Sequence, residues 1–316
     1  MTPLEIEYIT KVVGSNQKQF YYFKDKYALQ MLRYHVKEHV HINELRNSKF
    51  RNLLDKEPVR EMMGVAGSGS IRSGALDNYL PAEGRVFNYT LSKWGEYVQH
   101  RNDDWYQTTR PGLSLVLQLN FDSRHNYKYH QWIRKCDEDN PFEFDCHPIA
   151  ETRNYTMSWC RVDINLDSGE ALIEEIQNDW LREVQGLKCM LAKHLEKPEK
   201  KRLGHWFFSR YNLTDFQKYC TYIEYYQRIW PEATLSLAIH FLKQEMGLDT
   251  IYYHDFDSGN HLKKIMHIKP PKSLYTKLPK KFGFDVTTEA PNFLKKEKYL
   301  KKKLRNKDLR WWILKL

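Results

Sequence analysis

No stretch of this chain holds the ~18–20 consecutive apolar residues that a membrane-spanning helix requires, so no membrane partner is expected. The first residues, Met1 to Glu5, lack a charged segment followed by an apolar one, which argues against a secretory leader. Cysteine is scarce: five residues, at 136, 146, 160, 189 and 220, form no CxxC pair and no Cys/His ladder. An odd number at loose spacing excludes a disulfide framework and points to free thiols and a cytoplasmic setting. Cys136 with Cys146-His147 is the nearest approach to a metal motif, and no metal site is expected from it. Acidic charge is what the C-terminal end lacks. Residues 261–316 carry 17 Lys/Arg against 4 Asp/Glu, whereas the remaining 260 carry 33 against 36. The basicity is therefore local, which excludes a histone-like polycation and marks a patch.

Hydrophobic residues at 41% and aromatics at 14% are enough for a real core in one large domain or two modest ones. Residues 5–23 read as a hairpin through Gly14-Ser15-Asn16, followed by helices over Asp25–Lys37, Ile42–Leu54 and from Pro58 onward. This makes 1–64 a helical N-terminal section. Four glycines crowd into 64–74 at a spacing that fits neither GxGxxG nor GxxxxGK[ST], so 65–84 reads as a linker. An α/β (α+β) core with a mixed central sheet is expected over 85–294, with a basic tail over 295–316.

Within that core, Arg85–Leu91, Leu113–Phe121 and Tyr155–Leu166 read as strands, with helical character at Tyr127–Arg134. The loop Asp167-Ser168-Gly169 would turn the last strand back into Ala171–Gln177. If Leu166 pairs with Glu170, then Cys160 faces Ile176, Arg161 faces Glu175, and Glu174 falls on the apolar face opposite Val162. A buried carboxylate there must be paired, hydrogen-bonded or protonated. Helices follow over 178–196 and Phe216–Trp230, then the solvated loop 196–202 between them. Pro231 suits the first turn of a further helix, which Gly247 ends. A strand over Thr250–Tyr253 comes next.

The order strand, helices, strand predicts a crossover that leaves 171–177 and 250–253 parallel. Ligands bind at the carboxyl ends of such strands. There Glu174, Glu175, Gln177, Asp179 and His254 are candidates for acid–base work, and Asp255 and Asp257 for substrate contacts, with Arg110 and Trp180 beside them. Oxygen ligation of a divalent cation is open to the same set, and Asp179 could instead cap the next helix. Lys263, Lys272, Lys296, Lys301, Lys302, Lys303 and Arg305 are candidates for holding phosphate or nucleic acid; a solvated lysine-rich helix is the plainer alternative.

Glu174-Glu-Ile-Gln-Asn-Asp-Trp180 resembles the EEIQSDW signature of an uncharacterised group of bacterial proteins. Related domains occur in large polyvalent proteins of phages and conjugative elements. Thr109–Phe121 and Pro270–Pro279 resemble further blocks of that group, so the likeness spans roughly 105–294. Asn178 stands where the signature has serine, so no role of that serine carries over. The resemblance implies a phage-defence, toxin or mobile-element context. A second, fold-level resemblance is to GNAT-type acyltransferases, whose second half runs strand, helix, strand, then a short helix with a Leu-Tyr pair and a terminal Gly-Phe. Ser273-Leu-Tyr275 and Phe282-Gly-Phe284 match that end. The resemblance implies a GNAT-like core, an acyl-CoA donor and Tyr275 as the acid that protonates the leaving thiolate. No [QR]xxGx[GA] loop follows Trp180, where Arg182–Gly186 stands instead, and the Tyr-to-Gly spacing is longer. Two functional classes follow: a group-transfer enzyme, or a non-catalytic protein that binds nucleic acid or a protein partner in a defence or toxin–antitoxin system.

Overall fold

The computed structural model describes all residues except 15–16, 66, 68, 82, 96–106, 135–139, 151, 197–206, 208 and 306–307. Cys136 and the loop over 197–202 lie outside the described residues. The described strands are β1 (Lys18–Tyr22), β2 (His39–His41), β3 (Ser70–Arg72), β4 (Arg85–Trp94), β5 (Ser114–Asn120), β6 (Thr156–Asn165), β7 (Glu170–Gln177), β8 (Thr250–His254), β9 (Asp285–Thr287) and β10 (Trp311–Lys315). Eight of them form one mixed sheet in the order β1-β4-β5-β6-β7-β8-β10-β9, and β2 pairs with β3 apart from it. β7 and β8 run parallel, Glu170 to Ile173 beside Thr250 to Tyr253, as the crossover order predicts. The other neighbours are antiparallel. This is the expected α/β architecture with a mixed central sheet.

The N-terminal hairpin expected over 5–23 is replaced by helix α1 (Pro3–Val13) running into β1. The reason is local: Thr2 accepts from the Glu5 amide while the Glu5 carboxylate accepts from the Thr2 amide, with Pro3 in the first turn. Ile6 and Ile9, at helical spacing, are the residues α1 buries. Helix α2 (Lys26–His35) forms as predicted. The helix expected over 42–54 breaks after α3 (Ile42–Arg46). Ser48 donates its hydroxyl to the Leu45 carbonyl and accepts from the Phe50 amide, which offers the backbone an alternative to the helical ladder. Next come α4 (Glu57–Val65) and, within the expected linker, β3 and α5 (Ser73–Asp77). Ile71 and Leu76 of that stretch are buried in the main core.

Helix α6 (Ser123–Trp132) and helix α7 (Trp180–Glu196) flank the sheet. The break expected at Pro231 is absent: α8 runs unbroken over Leu213–His240. A proline inside a helix costs about 3 kcal/mol. Residues 232–239 are all buried, so packing holds the helix through it. A wider turn over Phe241–Glu245 then leads to Gly247, in the left-handed region at φ 68°. Among the described residues no helix is long and apolar enough to cross a membrane.

The sheet has two differently covered faces. Leu115, Leu117, Cys160, Val162, Ile173, Ile176, Ile251 and Tyr253 point into the main core, which contains the buried residues of α8. On the opposite face, Leu172, Tyr252 and Trp311 pack against Phe293 and Leu294 of α11 (Asn292–Lys296) and Leu300 of α12 (Lys298–Arg305). Between β8 and α11 come the short helix α9 (Phe256–Leu262), a 3-10 turn at Lys272–Tyr275 and the short helix α10 (Lys277–Lys281). β10 is an interior strand between β8 and β9. Gln118 of β5, Arg161 and Asp163 of β6 and Glu170 of β7 line the second face, whereas Ser158 of β6 turns to the main core and bonds to Thr234 of α8 at 2.6 Å.

Candidate functional site

The hairpin β6–β7 sets the geometry. Its last pair is Asn165 with Glu170, so the loop has four residues, 166–169, not three. Leu166 therefore does not pair with Glu170. Asn165 Oδ1 accepts from the Ser168 amide at 2.9 Å, and Gly169 takes φ 65°. The longer loop shifts the register by one, and a β-bulge at Glu174 shifts it back. Val162 pairs with Ile173, Arg161 with Glu175, and Glu174 is the extra residue. Arg161 opposite Glu175 and Cys160 opposite Ile176 thus match the sequence reading. The side of Glu174 does not: Ala171 and Ile173 face the main core, Ile176 does again, and the carboxylates of 174 and 175 meet the polar residues of the other face.

Beyond Ile173 and Tyr253 the parallel pairing ends. Glu174 and His254 stand at this parting. Thr109 donates its amide to Glu174 Oε1 at 3.1 Å and its hydroxyl to Oε2 at 2.8 Å. His254 Nε2 lies 2.7 Å from the Thr109 hydroxyl and 3.2 Å from Glu174 Oε2. A hydroxyl has one proton to give, so His254 Nε2–H donates to Thr109 and Thr109 donates to Glu174. His254 Nδ1 is buried without a partner among the described residues, which fits a neutral ring. Burial pushes His254 below the ordinary imidazole range, against the pull of Glu174. Burial pushes Glu174 up, but His254 above all, then Lys263 and Arg161, outweigh it and hold the carboxyl low.

A second cluster adjoins the first. The Arg161 guanidinium donates to the Glu175 carboxylate and, at 3.3 Å, to the Gln107 carbonyl. Lys263, 4% exposed, donates to the Glu174 carbonyl at 2.7 Å, and its ammonium lies 5.8 Å from the Tyr275 ring. Burial pushes Lys263 down while Glu175 and Glu174 pull it up. Burial pushes Glu175 up, and Arg161 and Lys263 more than reverse it. Tyr275 packs 5.4 Å from the Tyr253 ring, and its carbonyl accepts from Trp312 Nε1 at 2.8 Å. Its hydroxyl is buried and has no hydrogen-bond partner among the described residues. Burial and the Glu175 charge push that hydroxyl well above the ordinary phenol range.

The structure divides the residues predicted for the site. It brings together Glu174, Glu175, His254, Tyr275 and Lys263. Gln177 is half-buried opposite Trp159, about 10 Å further along β7. Asp179 lies beyond it, bonded to His147 Nδ1 at 2.6 Å and to Arg182 at 2.9 Å. Trp180 is core: its Nε1 donates to the Tyr219 hydroxyl at 2.6 Å within an aromatic cluster that includes Phe121, His125 and Tyr129. Arg110 forms a two-point pair with Asp163, at 2.6 and 2.8 Å, and reaches Glu297. Asp255 caps the short helix that starts at Phe256 by accepting from the Asp257 amide, and Asp257 itself is exposed. Lys263 is inside the cluster and not on the surface. Lys272 sits exposed over the Phe256 ring. Lys296, Lys301, Lys302 and Arg305 are exposed around α11 and α12, while Lys303 reaches back to the Leu262 carbonyl.

Three members were not singled out by sequence: Thr109, His147 and Arg161 as a site residue. Thr109 begins one of the resemblance blocks, and Arg161 follows from the strand register. His147 had no sequence signal beyond its neighbour Cys146. Among the described residues no group of three His, Cys, Asp or Glu is placed to hold a metal ion. Fold and site together define an α/β protein with a buried polar cluster where two parallel strands part. No family model, curated protein or solved structure matches the chain.

Proposed function

We propose that the chain is a group-transfer enzyme acting on an acyl donor of the acyl-CoA class, with its chemistry where β7 and β8 part. The observation that carries this is the Tyr275 hydroxyl, buried without a partner among the described residues and beside Glu175, Arg161 and Lys263. The hydroxyls of Tyr22, Tyr27, Tyr225 and Tyr253 are likewise buried and unpartnered among the described residues; what sets Tyr275 apart is its place beside Glu175, Arg161 and Lys263. Tyr275 would donate its proton to the leaving thiolate, as the GNAT resemblance implies. The succession strand β7, helices, strand β8, short helix and Leu274-Tyr275 supports the same reading. Asn178 Oδ1 already accepts from the Arg182 amide at 3.1 Å, so the proposal rests on Tyr275 and not on a phosphate-binding loop. The signature-like stretch 174–180 supports a defence or toxin context.

The test is Tyr275→Phe, with acetyl-CoA binding by calorimetry and thiol release as separate readouts. Binding should persist while thiol release falls about 100-fold, the usual scale of one acid–base group. Wild-type turnover by the variant, or no acetyl-CoA binding by the parent, would sink the reading.

A second reading, nucleic-acid binding, is favoured by one observation. α12 docks through buried Leu300 and leaves Lys301, Lys302 and Arg305 exposed. Deleting this run would also remove Leu300 from the second core, so charge-neutralising changes are the cleaner probe. The triple change Lys301→Gln, Lys302→Gln, Arg305→Gln should weaken binding of a single-stranded RNA. It should also reduce the salt slope by about 0.7 per lost phosphate contact. An unchanged slope would exclude α12 as the surface.

A further inference from the structure

A second set of groups lies further along the same face. We propose that His147 is the proton acceptor of the site, positioned by Asp179, for an acceptor substrate bearing an amine or hydroxyl. This rests on the group-transfer reading above and moves the base from His254 to His147.

His147 Nδ1 is 2.6 Å from Asp179 Oδ2. A carboxylate only accepts, so Nδ1 carries the proton and the lone pair is on Nε2. No described residue bonds to Nε2. The His147 side chain is 28% exposed, whereas that of Asp179 is 2% exposed. Asp179 is itself fixed: its other oxygen accepts from Arg182 Nη2, and its carbonyl accepts from the Glu183 amide at 2.9 Å. An imidazole with one nitrogen held by a buried carboxylate and the other open is the arrangement of an oriented general base. His254 has the opposite character, with Nε2 engaged, Nδ1 enclosed and no exposure.

The dyad shares a wall with the charged cluster. The His147 ring lies 5.4 Å from Trp159 and 6.5 Å from Trp94. Trp94 is in turn 5.3 Å from the Arg161 guanidinium. Trp159 and Arg161 are next-but-one on β6, about 6.7 Å apart on the same face. An aromatic floor thus joins a base at one end to Arg161 and Glu175 at the other. In the proposed step the acceptor nitrogen or oxygen bonds to the acyl carbon as its proton passes to His147 Nε2. The acyl–sulfur bond breaks with its electron pair on sulfur, which takes that proton back from the His147 imidazolium and leaves the ring neutral, so the dyad needs no second acid.

The test labels the intact protein with diethyl pyrocarbonate and reads each histidine by peptide mass spectrometry. His147 should label faster than the exposed His39 and His267. Asp179→Asn should slow it several-fold with the circular dichroism unchanged, and Asp179→Glu should restore it. With p-nitrophenyl acetate as donor, His147→Ala should lose about 100-fold in rate, and free imidazole should recover part of it. Labelling of His147 that ignores Asp179→Asn, or wild-type turnover by His147→Ala, overturns the proposal. If the dyad behaves as stated but acetyl-CoA does not bind, the acyl-CoA reading falls and the dyad stands.

Discussion

Thr109 is the residue on which the buried cluster turns. It gives Glu174 both an amide and a hydroxyl proton and receives the His254 proton. Without the hydroxyl, a wholly buried carboxylate and a wholly buried imidazole would each lose a partner. Thr109→Val keeps the shape and removes that oxygen. Unfolding in urea should show a loss of about 1–3 kcal/mol, the cost of leaving buried polar groups unsatisfied. A loss within about 0.5 kcal/mol would mean that water replaces the hydroxyl. Glu174 itself was singled out by its burial in the register, and the requirement for partners followed from elementary electrostatics. The identity of the partner did not, because Thr109 is 65 residues away and no periodicity links them.

At the scale of elements, the bulge in β7 and the short helix at Phe256–Leu262 act as a pair. The bulge turns two consecutive carboxylates onto one face, and the helix closes over His254. Gly259 makes that closure possible: a Cβ there would sit 2.8 Å from His254 Cβ and 3.0 Å from its Cγ. Gly259→Ala should therefore destabilise by about 1–3 kcal/mol through overpacking, read as a lower melting temperature. Combining it with His254→Gly, which removes both of those atoms, should recover much of that loss. Additive losses in the double variant would refute the contact. The sequence showed the strands flanking the bulge but not the bulge itself. Loop length and bulge shift the register by one residue each, in opposite senses, so either alone would have reversed every side chain beyond it.

At the scale of the whole molecule, stability against acid depends on two histidines buried in the uncharged form. Burial pushes His125 down to about 3 and lowers His254 as well. Their folded values lie below their unfolded value near 6.5. Above that value neither state binds the extra proton, and below it only the unfolded chain does. Stability should therefore fall as pH drops below about 6.5, by at most about 1.4 kcal/mol per pH unit for each histidine. For His125 the loss continues down to about pH 3. Glu174, which is also held low, adds a loss of the same sign as pH falls below its unfolded value of about 4.5. Urea midpoints from pH 7 to pH 4 test this, and His125→Gln should flatten the profile. A midpoint independent of pH would refute the neutral buried state.

What the sequence by itself determined is the alternating strands β5 to β7, the parallel β8, the aromatic amphipathic first half of α8 and the local basicity of the C-terminal end. Each is written in periodicity or charge within a short window. The capping box at Thr2-Pro3-Leu4-Glu5 was also legible, but alternating apolar residues suggested a strand instead. Tertiary structure alone decided that Thr109 meets Glu174, that His147 meets Asp179, and that Lys263 turns inward. These contacts join residues 32 to 89 positions apart. Their partners are chosen by how strands and loops fill space, and side-chain chemistry constrains only what each partner must supply. The sheet was legible because a strand announces its two faces, whereas the site depends on a bulge and on loops that meet only after the sheet has formed.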